Sequence, residues 1–506
     1  MDAKSSSDAS PDFANNQDRD KFHQAGSAAE LDAEDKFVTF ERWLSSSGTK
    51  LPKLELRDYG EEVRGCHAKE DVYDEEVIIE VPLKCLITVE MGKETHVGKA
   101  ILSSRIELDA PKHIFLMIFM LLDRKKADSF FQPYYDILPE TLSNMPIFWD
   151  AGELKFLEGS YMLEQVDERN VAIEADYLSI CNVCPEFRSI STLHEFKWAR
   201  MCVCSRNFGL VVNGLQTAAM VPYADMLNHY RPRETKWQFD DAVQGFTVVA
   251  LQRIGMGAQV YDSYGRKCNH RFLLNYGFSV ENNTESDGFC PNEVPILLEI
   301  GKTDPLFDVK CTFYRRDLSI PYRRIRVCVS DNENTKLLLA MLRVIVADKE
   351  DFDLLVSCAG NSLYRSLRDA QVAVSIKNES RVMGALVATC GELLSHYPTS
   401  FAHDVERLSN PDSNIAPFSN ERHALIQVKG EKEVLLFLQD LGSTSASLLQ
   451  IVDGAKFEQQ LEQVRCTKHA LIYQYARGTI ARLHQDEVRR AENRRRKLDL
   501  SRPTVV

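Results

Sequence analysis

Apolar residues recur along this chain at intervals that differ from region to region, and these intervals predict where helices and strands form. Residues 1–34 show no apolar periodicity and are rich in Ser, Asp and Ala, a composition that predicts disorder. The segment 34–50 predicts a short amphipathic helix, with one face formed by Phe37, Phe40, Trp43 and Leu44. The first ordered element is therefore expected only after the acidic N-terminal stretch.

Runs of β-branched residues bounded by Gly, Pro, Asp and Asn predict strands in two separated parts of the chain. The first part contains the segments 51–60 and 75–90. The second contains short runs at 219–222, 237–239, 245–250 and 258–261. Between the two parts, residues 95–205 show the three- to four-residue spacing of helices. Strands interrupted by a helical insert, without regular β-α-β alternation, indicate an α+β fold.

Beyond residue 290 the spacing is helical almost throughout, apart from a Pro-, Ser- and Asn-rich stretch at 398–421 that predicts an exposed connection. We therefore predict a second, all-α domain after the β-rich one. The predicted boundaries are a disordered acidic N-terminus at 1–34, a β-rich domain at 35–285 with its helical insert at 95–205, an α-helical domain at 290–495 and a basic tail at 496–506.

Composition and charge narrow the classes of function. The chain has 506 residues, of which 44% are hydrophobic and 27% charged, as in globular proteins. Its formal net charge of −13 disfavours direct binding to nucleic acid or to an anionic membrane. No apolar run approaches the length of a membrane-spanning helix. The first residues lack the features of a secretory or transit peptide, which predicts a cytoplasmic or nuclear location.

Cysteine spacing gives no sign of a metal site. The chain has 13 cysteines in no regular framework, which fits a reducing compartment. The sequence CNVC at 181–184 is an isolated C-x-x-C, whereas a structural zinc site built from such pairs needs a second pair. We therefore expect two unconnected thiols there and no bound metal.

Two polar segments carry the candidate chemistry. The chain shows no dinucleotide-binding Gly-x-Gly-x-x-Gly, no P-loop and no His-Glu-x-x-His. Instead, ADMLNH at 224–229 follows an apolar run, and YDSYGRKCNHRFLLNYGF follows at 261–278. The Asn228 amide can both donate and accept hydrogen bonds, and a tyrosine phenol is neutral at pH 7. These groups suit a pocket for a polar, charged small molecule.

These two segments resemble the signature end of SET-domain protein methyltransferases, in particular the Rubisco large-subunit methyltransferase-like branch, which includes the actin-histidine methyltransferases. EEVRGCHAKEDVYDEEVIIEVPLKCLIT at 61–88 is similar to that family's opening strand pair, and KWARMCVCSRNFGL at 197–210 is similar to the helix that follows its insert. The helical C-terminal part resembles the branch's substrate-binding domain. The resemblance implies a SET domain with a pseudoknot, S-adenosylmethionine as cofactor and a protein substrate.

The resemblance also implies roles for particular residues. Tyr264, in Ser-Tyr-Gly, matches the catalytic tyrosine. The expected cofactor contacts are Glu62, Arg64, Ser205, Arg206, Asp225, Asn228, His229 and Tyr276. The expected substrate contacts are Phe208, Tyr223, Ala224 and Phe278. The chain departs from the family at Val63-Arg64-Gly65, where the family has Gly-x-Gly, and a valine there lacks the freedom of glycine to adopt positive φ.

Three functions remain open at this point. The first is a protein-lysine N-methyltransferase, because the histidine-methylating members carry an Asn and a Trp where this chain has Phe208 and Ala224. The second is a protein-histidine N-methyltransferase. The third is a catalytically inactive SET-like scaffold, which the altered Val63 turn favours and the intact Tyr264, Asn228 and His229 oppose.

Overall fold

The computed structural model describes residues 35–60, 63–315, 322–330, 332–358 and 370–500. The predicted disorder of 1–34 and the end of the predicted tail lie outside these residues. The strands, in chain order, are β1 (Leu54–Gly60), β2 (Val63–Ala68), β3 (Val77–Pro82), β4 (Ile87–Thr88), β5 (Asn207–Val212), β6 (Leu215–Met220), β7 (Asn228–His229), β8 (Thr235–Asp240), β9 (Gly245–Ala250), β10 (Gln259–Asp262), β11 (Glu293–Glu299) and β12 (Tyr322–Cys328).

The helices fill much of the remaining chain, and among the described residues none has the length and apolarity needed to cross a membrane. In chain order they are α1 (Lys36–Ser46), α2 (Val89–Glu94), α3 (His96–Ser104), α4 (Pro111–Asp123), α5 (Gln132–Tyr135), α6 (Ala151–Leu154), α7 (Met162–Val183), α8 (Phe187–Ile190), α9 (Leu193–Arg206), α10 (Asn269–Tyr276), α11 (Phe307–Arg315), α12 (Glu333–Val346), α13 (Lys349–Cys358), α14 (Ile376–Ser395), α15 (Phe401–Ser409), α16 (Asn420–Leu449), α17 (Gly454–Thr467), α18 (Ala470–Tyr475) and α19 (Ala481–Leu500).

The chain divides into two compact units. The first unit contains the described residues up to Leu142 together with Val171–Gly265, and the second contains Ser143–Asn170 together with the described residues from Arg266 onward. The chain is therefore divided at three points: after Leu142, inside α7 after Asn170, and directly after Tyr264 and Gly265. From the sequence, the first domain was predicted to end at 285 and to contain the whole of 95–205.

Three small sheets form the frame of the first unit. Their strand orders are β1-β2-β10-β7, β3-β9-β8 and β4-β6-β5. Strand β9 lies between two partners and is buried along almost its whole length, which explains its continuous apolar run. Helix α1 covers part of this frame, where the buried ring of Phe40 stacks on Tyr134 and on Tyr223, with centroids 6.2 and 6.3 Å apart.

Long helices dominate the second unit. Helices α14 and α16 pack along each other. Their close approach depends on Gly442, because a Cβ atom there would lie 2.8 Å from Val387 Cγ2 and 3.1 Å from the carbonyl oxygen of Met383. A five-residue π-helical segment at Ala476–Ile480 joins α18 to α19, so that one predicted amphipathic stripe is interrupted there.

Two features of the second unit were not predicted. Strands β11 and β12 form an antiparallel pair, so the unit contains a small sheet beside its helices. Val294, Ile296 and Leu298 alternate inward along β11, a two-residue period that is easily missed beside long helices. Helix α15 lies within the stretch 398–421, where an exposed connection was predicted, and Ser400 caps its first turn.

Candidate active site

The candidate site is built on a short parallel pair of strands in the first unit. In this pair, β7 lies beside β10 with Asn228 opposite Tyr261 and His229 opposite Asp262. The pairing continues for one residue, because the backbone N–H of Tyr230 donates to the Asp262 carbonyl at 3.0 Å. Asn228 and His229 are therefore fixed by the backbone before their side chains make any contact.

Tyr264 is held at both ends by the residues around β7. Its backbone N–H donates to His229 Nδ1 at 3.0 Å, and its hydroxyl donates to the carbonyl of Leu227 at 2.9 Å. The rings of His229 and Tyr264 stack with centroids 5.2 Å apart. Because Nδ1 of His229 accepts a hydrogen bond, the proton of the neutral ring resides on Nε2. The Tyr264 oxygen has lone pairs available as acceptors while its own proton points at a carbonyl.

Asn228 joins this segment to β2. Its Nδ2 donates to the backbone carbonyl of Arg64 at 2.8 Å. This bond places β7 beside the strand that carries Arg64 and Gly65. A Cβ atom at Gly65 would overlap the Gln259 amide and the Tyr59 hydroxyl, so the backbone of β2 comes close to its neighbours here.

A cluster of charged and polar side chains surrounds Asp225, one turn before Asn228. Arg206 Nη1 donates to Asp225 Oδ2 at 3.2 Å and to the Asp225 carbonyl at 3.2 Å. The Tyr134 hydroxyl donates to the same Oδ2 at 2.8 Å. Arg64 Nη1 donates to the Ile137 carbonyl at 2.6 Å. We refer to Arg64, Arg206, Asp225 and Tyr134 as the arginine cradle.

The arginine cradle has an excess of positive charge. Burial, with the nearby Arg206, lowers the pKa of Arg64 to about 10, so its guanidinium is still protonated at pH 7. Burial is the largest influence on the pKa of Arg206 and acts to lower it, but the Asp225 carboxylate together with Tyr134, Cys202 and Tyr264 outweighs it and the pKa is raised. Burial raises the pKa of Asp225 in spite of the two arginines. Burial likewise raises the pKa of Tyr134 well above its usual value, so its phenol remains a donor.

Three buried polar atoms of the cradle point to a ligand. Arg64 Nη2, Arg206 Nε and Asp225 Oδ1 have no hydrogen-bond partner among the described residues. A buried donor or acceptor without a partner is costly, and native proteins rarely leave three together. Two donors on cations and one acceptor on a carboxylate match a zwitterion that carries its own carboxylate and ammonium group.

Other predicted site residues of the first unit are engaged in packing. The Ser205 hydroxyl donates to the carbonyls of Met201 and Cys202 within α9, at 2.9 and 3.2 Å. The Phe208 ring packs edge-on against Trp237 and Phe246, with centroids 5.2 and 5.0 Å apart.

Tyr223 and Ala224 precede the cradle carboxylate and are buried. Tyr223 is fully buried, has φ of 76° and stacks on Phe40. Ala224 is 2% exposed and begins the short turn that contains Asp225. The strained backbone at Tyr223 therefore lies directly before the segment that positions Asp225.

The remaining predicted residues do not belong to the described part of the first unit. Tyr276 and Phe278 lie in the second unit, where Gly277 ends α10 with φ of 78° and the Phe278 ring stacks on Phe272 at 5.1 Å. Glu62 lies outside the described residues.

Val63 is accommodated without backbone strain. It begins β2, is paired with Gly60, and has an ordinary extended backbone. Of the described residues at this end of β1 and β2, Gly60 has the positive φ, 85°. The valine therefore stands at a place where the fold does not require glycine.

Tyr134 and the Leu227 carbonyl were not predicted from the sequence. Tyr134 lies 91 residues before Asp225, in the helical insert, and no local motif connects the two. The Leu227 carbonyl belongs to the backbone, so no residue type could reveal it. Both contacts depend on how the chain folds back on itself.

Comparisons with known proteins find similarity to Rubisco LSMT and to actin-histidine N-methyltransferases. The family model for the Rubisco LSMT substrate-binding domain matches residues 301–435. Actin-histidine N-methyltransferase of Mus musculus is 28% identical over 419 residues, which span 79% of this chain and 67% of that protein. The Homo sapiens protein of the same name is 28% identical over 416 residues, with the same two shares.

Solved structures show the same fold. The SET domain of LSMT bound to lysine and AdoHcy matches with a TM-score of 0.67 and 23% identity, over 87% of this chain and 98% of that one. Rubisco LSMT bound to AdoMet matches with a TM-score of 0.66, 23% identity and the same coverage. The predicted α+β SET fold is confirmed by these matches.

Proposed function

We propose that this chain, a member of the Rubisco LSMT-like branch of SET-domain protein methyltransferases, is an S-adenosylmethionine-dependent protein N-methyltransferase. The observation that carries the proposal is the arginine cradle with its three unpartnered buried atoms. It adjoins Asn228, because the Asn228 amide binds the backbone of Arg64. A binding site for an amino-acid head thus lies next to the segment that holds Tyr264.

The residues present fit the methionine head of S-adenosylmethionine. Arg64 Nη2 and Arg206 Nε supply charged donors for its carboxylate, and Asp225 Oδ1 supplies an acceptor for its ammonium group. When bound, this cofactor supplies an electrophilic methyl group on a sulfonium. The cradle then has the task of fixing the head so that the other end lies in one position.

Tyr264 positions the acceptor nitrogen and shields it from water. Its hydroxyl proton is committed to the Leu227 carbonyl, so its oxygen serves as an acceptor rather than an acid. The phenol oxygen and the neighbouring carbonyl form a polar rim that can accept N–H or polarised C–H groups. A lysine amine must lose its proton to the solvent before it attacks, because its usual pKa is about 10.4.

Lysine is the target residue that we propose. In the resemblance, the histidine-methylating members have an Asn and a Trp where this chain has Phe208 and Ala224. Ala224 is buried directly before the cradle carboxylate, and its methyl group is much smaller than an indole. Histidine is the second candidate, because the curated relatives that are 28% identical are actin-histidine methyltransferases.

Transfer of a labelled methyl group to proteins of a cell extract tests the activity. We expect wild-type protein to label a substrate band and Tyr264→Phe to lose at least tenfold in rate, because the variant lacks the hydroxyl. Tyr73→Phe, at an exposed tyrosine of the same unit, serves as the matched control and should label normally. Mass spectrometry of the labelled band then assigns the methyl group.

The outcomes separate the candidates. A methyl group on lysine supports the proposal in full. A methyl group on the imidazole of histidine supports methyltransferase activity but contradicts the choice of lysine that was based on Phe208 and Ala224. Equal labelling by wild type and Tyr264→Phe would remove Tyr264 from the mechanism. No label with any extract would favour the inactive scaffold.

A further inference from the structure

Three metal-binding side chains meet at the surface of the first unit, in a place that methyl transfer does not use. They are His96, Cys184 and Glu186, and one ligand atom from each lies within 4.8 Å of the other two. His96 and Glu186 are exposed, whereas Cys184 is only 2% exposed. Cys184 is the second thiol of the C-x-x-C at 181–184.

Two of the three side chains start from a backbone that hydrogen bonds hold in place. His96 is the first residue of α3, whose N-terminus is capped by Thr95 through a 3.0 Å hydrogen bond from the Gly98 N–H. Cys184 follows the last turn of α7, where its N–H donates to the Ile180 carbonyl at 2.9 Å. Its carbonyl accepts from the Phe187 N–H at 3.0 Å, which fixes the turn into α8.

The three side chains differ in chemistry and face one another at short range. A thiol, an imidazole and a carboxylate facing one another offer the sulfur, nitrogen and oxygen ligands that zinc accepts.

A second trio of potential metal ligands lies in the second unit, but a positively charged side chain already contacts it. Cys268, His270 and Glu293 also lie within 4.8 Å of one another. Arg326 Nη1, however, donates to His270 Nε2 at 3.0 Å and to Glu293 Oε1 at 3.3 Å. The guanidinium thus occupies the place of a metal ion there.

We propose that His96, Cys184 and Glu186 bind a zinc ion with an open fourth position, tying the start of α3 to the turn between α7 and α8. In a tetrahedral zinc site with bonds of about 2.0–2.3 Å, ligand atoms lie about 3.3–3.8 Å apart. Because the ligand atoms lie within 4.8 Å of one another, contraction to these separations is at most about 1.5 Å, which rotation of the two exposed side chains allows. As the Zn–S bond forms, the thiol proton passes to water.

Metal binding by the full-length protein tests this site independently of methyl transfer. After treatment with EDTA and gel filtration, the protein is titrated with Zn²⁺ and, separately, with Co²⁺, whose thiolate complexes absorb in the near ultraviolet. We expect one tightly bound ion per chain and a thiolate-to-cobalt band. Cys184→Ser should abolish the band, and His96→Gln should weaken binding by more than the roughly 10- to 100-fold that loss of an outer-shell partner costs.

Two control variants test whether loss of metal binding is specific to the proposed site. Cys466→Ser removes an exposed thiol of the second unit, and His270→Gln alters the trio that Arg326 fills, so both should bind as wild type. His96→Gln changes an exposed side chain and keeps the test valid if Cys184→Ser is poorly folded. Absence of stoichiometric binding, or binding that is unchanged in both His96→Gln and Cys184→Ser, would overturn the proposal.

Discussion

Two donors bind the same carboxylate oxygen of Asp225, which leaves the other oxygen of this arginine-cradle residue to face a ligand. Arg206 and Tyr134 both approach Oδ2, at 3.2 and 2.8 Å, while Oδ1 has no partner among the described residues. The buried phenol of Tyr134 thus acts as a positioning residue that turns the other carboxylate oxygen toward the proposed cofactor head. Its role is exerted through Asp225 rather than through contact with the reacting atoms.

Tyr134→Phe should raise KM for S-adenosylmethionine about tenfold and leave kcat nearly unchanged, since a hydrogen bond to a charged group is worth about 1.5 kcal/mol or more. Initial rates at varied cofactor concentration measure both constants. The matched control is Tyr135→Phe, because the Tyr135 hydroxyl donates to Asp123 instead, at 3.1 Å. If both variants changed stability alike and neither changed KM, Tyr134 would have only a structural role.

Helix α16 carries a buried carboxylate whose protonation is linked to folding. Ser160 and Gln427 donate to Glu431 Oε1 and Tyr397 donates to Oε2, each at 2.6 Å. Burial nevertheless raises the pKa of Glu431 from 4.5 to about 7, because three hydrogen bonds do not replace the lost water. The next residue, Lys432, is paired with Asp404 at 2.5 Å.

The raised pKa fixes the sign of a pH effect on stability. Between about pH 4.5 and 7 the folded protein keeps a proton on Glu431 that the unfolded chain releases, so this contribution is complete below pH 4.5 and is lost as the pH rises to 7. The free energy of unfolding should fall by up to about 3 kcal/mol across this range from Glu431 alone.

Urea unfolding at several pH values measures this fall, and Glu431→Gln, which resembles the protonated form, should flatten it. Glu433→Gln alters an exposed carboxylate one residue beyond Lys432 and should keep the wild-type dependence. An identical pH profile for wild type and Glu431→Gln would contradict the assignment.

Helices and strands with a strong pattern of apolar residues were predictable from the sequence. Elements that are stabilised by contacts with residues far away in the chain were not. The run GFTVVA at 245–250 became β9 within the predicted bounds, because burial on both sides requires continuous apolar residues. Helix α15 was missed because nine residues bounded by Pro and Ser look like a connection, although Leu408 packs against Leu425 and Ile426. The motif residues Asn228, His229 and Tyr264 lie together as the resemblance implied.

At the scale of the whole molecule, the net charge of the chain and the local charge of the arginine cradle have opposite signs. The net charge of −13 leaves the chain acidic, while the arginine cradle is a local excess of buried positive charge inside the first unit. The distances within this cradle were not predictable, because Arg64, Tyr134, Arg206 and Asp225 are spread over more than 160 residues and meet only through folding. Arg64, Arg206 and Asp225 were named from the motifs as expected cofactor contacts, which stays a prediction, and Tyr134 was not named.

Binding of S-adenosylhomocysteine should stabilise the whole protein. At a ligand concentration 100 times Kd, the expected gain is about 2.7 kcal/mol, because the ligand binds only the folded chain. Thermal unfolding with and without ligand measures it. Arg206→Lys should lose most of the gain, since lysine keeps the charge but lacks the planar set of donors.

The matched control for this measurement is Arg253→Lys, at a surface ion pair with Asp71. A scaffold that had lost its cofactor site would show no stabilisation in any variant. Stabilisation that is equal in wild type and Arg206→Lys would place the ligand outside the arginine cradle.

Tyr264 is oriented by a backbone carbonyl and by its own backbone N–H. These backbone groups determine which amino-acid substitutions can disturb the orientation of its hydroxyl. Every codon at position 227 encodes the same carbonyl, so the acceptor for the Tyr264 hydroxyl survives any substitution that the core tolerates. The orientation of the hydroxyl can be inherited unchanged while the side chain at 227 varies. The residues at 229 and 264, in contrast, contribute side chains to this arrangement, so a single coding change at either position can remove it.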